Sequence, residues 1–246
     1  MIVRDRRLRW PIAANLEAAV RGQRILSVER RAKYLIIRLE SGALIIHLGM
    51  SGSLRLVGGQ TPPKPHEHWD LVLDSGQALR FHDPRRFGSL FWTQDEPGKH
   101  PLLKKLAPEP LSAAFNSAYL FRVTRKRAVA IKQLIMNSQL VVGVGNIYAS
   151  EALFRAGISP RRAARRLTQA EALKLSGAIK AVLKAAIKIG GTTLRDYVNA
   201  DGLPGYFRQK LFVYERAGEH CRVCGATVRQ FTQGQRSTYW CATCQR

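Results

Sequence analysis

The last 26 residues hold all four cysteines of the chain, as Cys221-x-x-Cys224 and Cys241-x-x-Cys244 with sixteen residues between the pairs. Thiolates are soft, charged ligands, and two such knuckles supply the four corners of a tetrahedral zinc site. With protein sulfur at every corner no position is left for a reacting water, so the spacing predicts one structural zinc rather than a catalytic one. A redox dithiol explains one Cys-x-x-Cys pair but not two at ribbon spacing. Gly225 permits the tight turn after the first pair. Thr227–Phe231 and Arg236–Cys241 read as two strands joined around Gly234. The tip of that hairpin is Gln235-Arg236, where Arg236 is placed to meet a phosphate.

The elements that must carry this module belong to a strongly basic chain. Its 246 residues contain 40 Lys and Arg against 17 Asp and Glu, a formal charge of +23 with a sequence pI near 10.8. Such an excess calls for a polyanionic partner, and nucleic acid leads. Hydrophobic residues at 46% and charged residues at 23% are ordinary globular usage, which excludes a disordered or fibrous chain. No apolar run reaches the roughly 18 residues of a membrane span, and MIVRDRRLRW has no signal-peptide core. The expected location is the cytoplasm, where four cysteines argue for metal over disulfides.

From Arg24 to about Trp92 the runs YLIIRL, ALIIHL, SLRLV, LVL and ALRF alternate with Ser-Gly turns, predicting an antiparallel sandwich or barrel. Ala13 to Val20 predicts a short helix ahead of it. Prolines 97, 101, 108 and 110 mark a connection, and the helical period begins beyond it. Thr168 and Glu171 form a capping-box pattern before Leu175, Ile179, Val182, Leu183, Ala186 and Ile187, with Gly190-Gly191 as the stop. Lys174, Lys180, Lys184 and Lys188 read as the solvated face of that helix. Arg127 to Met136 predicts a helix, QLVVGVGN a long turn, and Ile147 to Ala156 a second helix with Asn146 as N-cap, a place that favours phosphate.

LVVGVGNIYASEALF resembles the helix-two-turn-helix of formamidopyrimidine-DNA glycosylases, bacterial enzymes that excise oxidised purines such as 8-oxoguanine. RRAKYL, HLGMSGSL, DPRRFG, GGTTLRDY, DGLPGYF and the zinc ribbon follow in family order, so the resemblance covers essentially the whole chain. It implies an α+β fold of two lobes. Residues 1–105 would be an N-terminal antiparallel β-sandwich, 106–211 a helical helix-two-turn-helix domain, and 212–246 a zinc-ribbon β-hairpin.

By the same resemblance Lys33 is the lysine near the abasic site and Arg236 the zinc-finger arginine that assists elimination. His47, Lys132, Asn146 and Tyr214 correspond to residues that grip phosphates, and His66 and Arg127 to further DNA contacts. A base rotated out of the duplex leaves a gap that costs a few kcal/mol unless something fills it. That wedge falls to Met50, Arg85 and Phe87. The implied partner is double-stranded DNA with an oxidised purine or abasic site, bound by a monomer.

The implied reaction is glycosidic-bond hydrolysis followed by strand cleavage through β,δ-elimination, in base-excision repair. Family members begin, once the initiator Met is removed, with Pro-Glu, whose amine attacks the sugar C1′. An α-amine with a pKa of about 7.7 to 8.0 is substantially neutral at physiological pH, and a lysine near 10.4 is not. This chain begins Met1-Ile2-Val3-Arg4, so that segment is expected to be missing from it. Lys33 replaces the amine only if Arg30 and Arg31 depress its pKa. The alternative reading is a catalytically silent damaged-DNA-binding protein.

Overall fold

The structure is a computed structural model and describes residues 1–189 and 211–246. Gly190-Gly191 and the GGTTLRDY and DGLPGYF motifs lie outside the described residues. The chain divides into two compact units. The first is residues 1–104; the second comprises residues 105–189 and 211–246.

In the first unit β1 (Ile2–Val3), α1 (Leu16–Val20), β2 (Ile25–Arg31), β3 (Tyr34–Leu39), β4 (Gly42–His47), β5 (Ser53–Gly58), β6 (Glu67–Val72), β7 (Gln77–His82) and β8 (Ser89–Thr93) follow in order. They make two four-stranded antiparallel sheets, β1-β6-β7-β5 and β2-β3-β4-β8. Alternation along the strands puts Ile37, Leu39, Leu44, Ile46 and Leu90 of one sheet against Trp69, Leu71 and Phe81 of the other. The result is a sandwich, not a closed barrel. Helix α1 is shorter than expected and caps the same core with Leu16 and Val20.

The strand start is also shorter than MIVRDRRLRW suggests. Arg4 N and Asp5 N both donate to the His68 carbonyl, and the Arg6 carbonyl accepts from Leu8 N and Ile12 N, so the chain turns back on itself after Val3. Arg4 remains useful there. Its guanidinium reaches Asp70 at 2.7 and 3.0 Å, and Arg80 reaches the same carboxylate at 2.8 and 2.9 Å. Glu67 accepts from Arg80 as well, at 3.1 Å. This buried ion cluster fastens β1 and β7 to β6.

The second unit holds α2 (Ser117–Thr124), α3 (Ile131–Ile135), α4 (Asn146–Ala156), α5 (Gln169–Lys188) and the hairpin β9 (Val228–Gln233) and β10 (Arg236–Cys241). Helix α2 has no counterpart in the sequence reading; the Asn116 side chain caps it by accepting from Tyr119 N. Helix α3 is one turn and a half rather than the ten residues expected. Lys126 turns the chain at φ 58°, and Ile131 N donates to the Arg162 carbonyl, so the backbone from Arg127 to Ala130 pairs across the chain instead of coiling. Helix α5 has the full capping box: Thr168 Oγ1 accepts from Glu171 N, and Glu171 accepts from Thr168 N at 2.9 Å. Its apolar stripe of Leu175, Ile179, Val182 and Ala186 packs on α2 and α4.

Burial pushes the Asp70 carboxyl up, but the Arg4 and Arg80 guanidiniums outweigh that and hold its pKa below the ordinary value. Its contribution is therefore present at neutral pH and lost as pH falls through the folded value. Asp70→Asn leaves two guanidiniums facing a neutral amide, and denaturant titration at pH 7 is expected to show a loss of about 3 kcal/mol. The variant should also lose less stability than the parent between pH 5 and pH 2, as followed by the same titration.

Candidate DNA-facing loops and metal centre

Two turns of the first unit carry the residues expected to wedge into a duplex. Met50 follows β4 and is 67% exposed; Phe87 precedes β8 and is 42% exposed. Water does not favour either position, so something must hold these turns open. Asp83 does so, wholly buried between them. Its carboxylate accepts from Ser51 Oγ at 2.8 Å in one turn and from Gly88 N at 2.8 Å in the other, with Arg85 N at 3.3 Å. A Cβ on Gly49 would sit 2.5 Å from the Phe87 carbonyl carbon, so the two backbones touch only because that residue is glycine. The Arg85 guanidinium lies 5.1 Å from the Phe87 ring centroid.

His47 ends β4 opposite Tyr34, the two rings 4.9 Å apart. Gly49 N donates to His47 Nδ1 at 2.9 Å, which leaves Nε2 as the protonated donor nitrogen of the neutral ring. Burial, and then the charges of Lys33 and Arg9, push the His47 pKa down. Lys33 is exposed in the turn between β2 and β3. His66 is exposed at φ 69°, and its carbonyl accepts from Asp83 N at 3.0 Å. Lys33, His47, Met50, His66, Arg85 and Phe87 thus gather at one set of turns. Asp83, Ser51 and Gly49 are their support, a role for which the sequence offers one signal, the place of Asp83 inside the DPRRFG motif.

In the second unit the centre is an ammonium. Lys132 on α3 is 1% exposed, and its Nζ donates to Asn146 Oδ1 at 2.6 Å, Thr238 Oγ1 at 2.7 Å and the Ser237 carbonyl at 3.2 Å. All three N–H bonds are used inside the protein. The resemblance places Lys132 on a phosphate; in the fold its ammonium is bonded to α4 and β10. Asn146 is the first residue of α4 and Gly145 the N-cap, so the Asn146 side chain is free for other work. Its Nδ2 donates to the Ser237 carbonyl at 3.0 Å and to Tyr214 Oη at 3.3 Å.

Tyr214 is held from behind by Glu151, a buried carboxylate that accepts from the backbone N–H groups of Phe212, Val213 and Tyr214 at 2.9 to 3.0 Å. The turn of the hairpin is Gly234-Gln235, both at positive φ, and Arg236 is the first residue of β10 rather than part of the tip. Arg236 is exposed beside a recess of about 170 Å³ shared with Lys132, Gln133, Asn137 and Gln233. Lys132, Asn146, Tyr214 and Arg236 therefore assemble. Arg127 stands apart on the turn after α2, with its Nε on the Val123 carbonyl. Glu151 and Thr238 were not anticipated; the visible signal was a carboxylate inside the apolar run of α4.

The four cysteine sulfurs lie within 4.8 Å of one another, with Cys224 and Cys241 at 3.5 Å and Cys221 and Cys244 at 3.9 Å. Sulfurs about 2.3 Å from a tetrahedral zinc stand roughly 3.8 Å apart, so the cage fits that ion and closes its coordination sphere. Knuckle hydrogen bonds hold the cage: Gly225 N donates to the Cys221 carbonyl and Gln245 N to the Cys241 carbonyl. The same strands form an apolar cluster with Phe154 and Val213, so a folded knuckle is needed to keep β10 in register with Lys132.

Two outcomes follow from this arrangement. Stripping zinc with a strong chelator should unravel the hairpin, seen as loss of its far-ultraviolet and tryptophan signals, while the β-sandwich still melts cooperatively. Burial and then the charge of Arg236 push the Lys132 pKa from 10.5 down to about 8. The unfolded chain keeps a proton that the folded chain gives up in that window, so stability rises with pH between the two values. Measured against Lys132→Met, that rise should amount to on the order of 1 kcal/mol per pH unit.

Three family models match the chain: the formamidopyrimidine-DNA glycosylase N-terminal domain over residues 1–90, the formamidopyrimidine-DNA glycosylase H2TH domain over 106–198, and the zinc finger found in FPG and IleRS over 218–246. The last accords with one structural zinc at the four cysteines. A formamidopyrimidine-DNA glycosylase of Stutzerimonas stutzeri is 58% identical over 246 residues, all of this chain and 91% of that protein. One from Thioalkalivibrio sulfidiphilus is 57% identical over the same shares. Among solved structures, the MutM (FPG) protein of Thermus thermophilus aligns with a TM-score of 0.85 at 46% identity, covering 93% of this chain and 85% of that one. The Lactococcus lactis Fpg in complex with abasic-site DNA aligns at 0.87 and 32% identity, covering 94% and 86%. On the sandwich, the helical unit, the zinc cage and these likenesses together, the chain belongs to the formamidopyrimidine-DNA glycosylase family.

Proposed function

We propose that this protein removes oxidised purines, 8-oxoguanine and formamidopyrimidines, from duplex DNA and opens the resulting abasic site by β,δ-elimination. The observation that carries the reading is the pair of turns pinned by Asp83, which presents Met50, Arg85 and Phe87 to solvent at a cost that folding alone does not explain. An apolar side chain and an aromatic ring replace lost stacking, and a guanidinium bonds the orphaned base. Structures of the Lactococcus lactis relative with abasic-site and Fapy-dG DNA support the same substrate class.

Each site residue then has a part. His47 offers Nε2–H to a phosphate, Lys33 stands near the abasic sugar, and His66 adds a backbone contact. Asn146, Tyr214 and Arg236 face the strand, with Arg236 assisting elimination, while Lys132 and Glu151 hold them in place. Arg127 contacts phosphate further away. The zinc cage holds the hairpin and supplies no chemistry of its own. The division of labour follows residues 1–105, 106–211 and 212–246, in a cytoplasmic monomer. The attack on C1′ belongs, in this family, to the amine of an N-terminal proline.

The test separates recognition from cutting. These 246 residues should bind abasic duplex at least tenfold more tightly than intact duplex, with affinity falling steeply in salt. On the same abasic duplex the protein should cut the strand and form an adduct that borohydride traps. A trapped adduct on the 246 residues that vanishes in Lys33→Ala would move the nucleophile to Lys33. Equal affinity for damaged and intact duplex would overturn the reading.

A further inference from the structure

The turn after α2 and the loop before α5 are joined by main-chain hydrogen bonds. Arg165 N donates to the Arg127 carbonyl at 2.9 Å, Ala164 N to the Val129 carbonyl at 2.9 Å and Ile131 N to the Arg162 carbonyl at 2.8 Å. Ala130 and Ala163 form the bridge between them. Arg125 clamps the pair from beneath: its Nη2 donates to the Leu167 carbonyl at 2.6 Å and to Thr124 Oγ1 at 3.0 Å, with the guanidinium 4.1 Å from the Phe121 ring. The result is a platform whose two loops cannot separate without breaking backbone hydrogen bonds.

Its surface is cationic. Lys126, Arg127, Arg161, Arg165 and Arg166 are all exposed, and the ion pair found on these loops among the described residues is Arg162 with Glu171. Crowding five like charges on a rigid surface gains nothing for folding and costs self-repulsion. Lys126 also takes a left-handed conformation at φ 58°, which is unfavourable for a residue with a Cβ. An anion is the natural counterweight. The recesses at Lys132–Arg236 and at Phe154–Val223 are lined by other residues, and these five side chains are themselves solvent-exposed. A face of arginine forks suits a line of phosphates better than one small anion.

The patch is also continuous with the hairpin that carries Arg236. Arg161 stacks on Phe231 at 3.9 Å and lies 5.8 Å from Trp240, and Gln233 Nε2 donates to the Pro160 carbonyl. We propose that this platform, through Lys126, Arg165 and Arg166, binds the sugar-phosphate backbone of undamaged duplex flanking the lesion and so supplies sequence-independent affinity. The proposal rests on the reading that the Arg236 hairpin meets DNA.

Arg165→Gln with Arg166→Gln is the test, because both side chains are exposed and make no hydrogen bond among the described residues. Melting temperature should be unchanged. On duplex extended well beyond an abasic site, affinity at low salt should fall about tenfold, and the slope of log K against log salt should shrink by about 2, one ion release per lost phosphate contact. On a short duplex covering little more than the abasic site both quantities should stay as in the parent. Arg165→Lys with Arg166→Lys should restore most of the slope. An unchanged slope on the long duplex, or the same loss on both lengths, overturns the proposal. A length-dependent loss in a protein indifferent to the abasic site would uphold the platform while sinking the lesion reading.

Discussion

The ammonium of Lys132 is bonded to three protein acceptors and withdrawn from water, and the geometry of the helical unit turns on it. A buried cation is tolerable only when every N–H is matched, and removing one partner of such a set costs several kcal/mol. The three matches here come from α4 and from two consecutive residues of β10. They fix the start of one helix against the start of one strand. Asn146 extends the network to Tyr214, and Glu151 closes it by taking three backbone N–H groups from the segment that carries Tyr214. A network satisfied throughout has one low-energy arrangement, which is why exposed Arg236 leaves the hairpin from a defined point.

The sandwich unit solves the same problem with the opposite charge. Exposed Met50 and Phe87 cannot be held by burial, so the turns beneath them are held by the Asp83 carboxylate and by a backbone contact that only Gly49 permits. In both units a buried ion with complete hydrogen bonding supports side chains that fold stability alone would not place in water. The zinc cage is the third instance. Four thiolates around a cation replace the apolar core that a 35-residue segment is too small to build.

These supports divide the candidate site into exposed side chains and the buried residues that orient them, and sequence motifs do not respect the division. DPRRFG holds both kinds, since Arg85 and Phe87 are exposed while Asp83 is wholly buried. The family pattern alone places Lys132 among the phosphate contacts and says nothing of the burial that its ammonium has in the fold. A lysine looks the same in a sequence whether its partner is a phosphate or a carbonyl. What distinguishes the two is desolvation, a property of the surroundings.

The sequence alone determined whatever depends on near neighbours in the chain. Cysteine spacing set the zinc cage, the Thr168–Glu171 box set the start of α5, and alternation of apolar residues set the strands, because each signal is complete within about twenty residues. Net charge settled the class of partner, since it is a sum over composition and needs no geometry. Tertiary structure decided the rest: that Arg127 to Ala130 pairs across to Arg162 instead of coiling, that the strand after Val3 turns back, and that Asn146 serves Lys132 rather than its own helix end. In each case a local preference lost to a hydrogen bond from far along the chain, 105 residues away for Lys132 and Ser237. A buried donor or acceptor left without that partner costs more than any helix or cap preference returns.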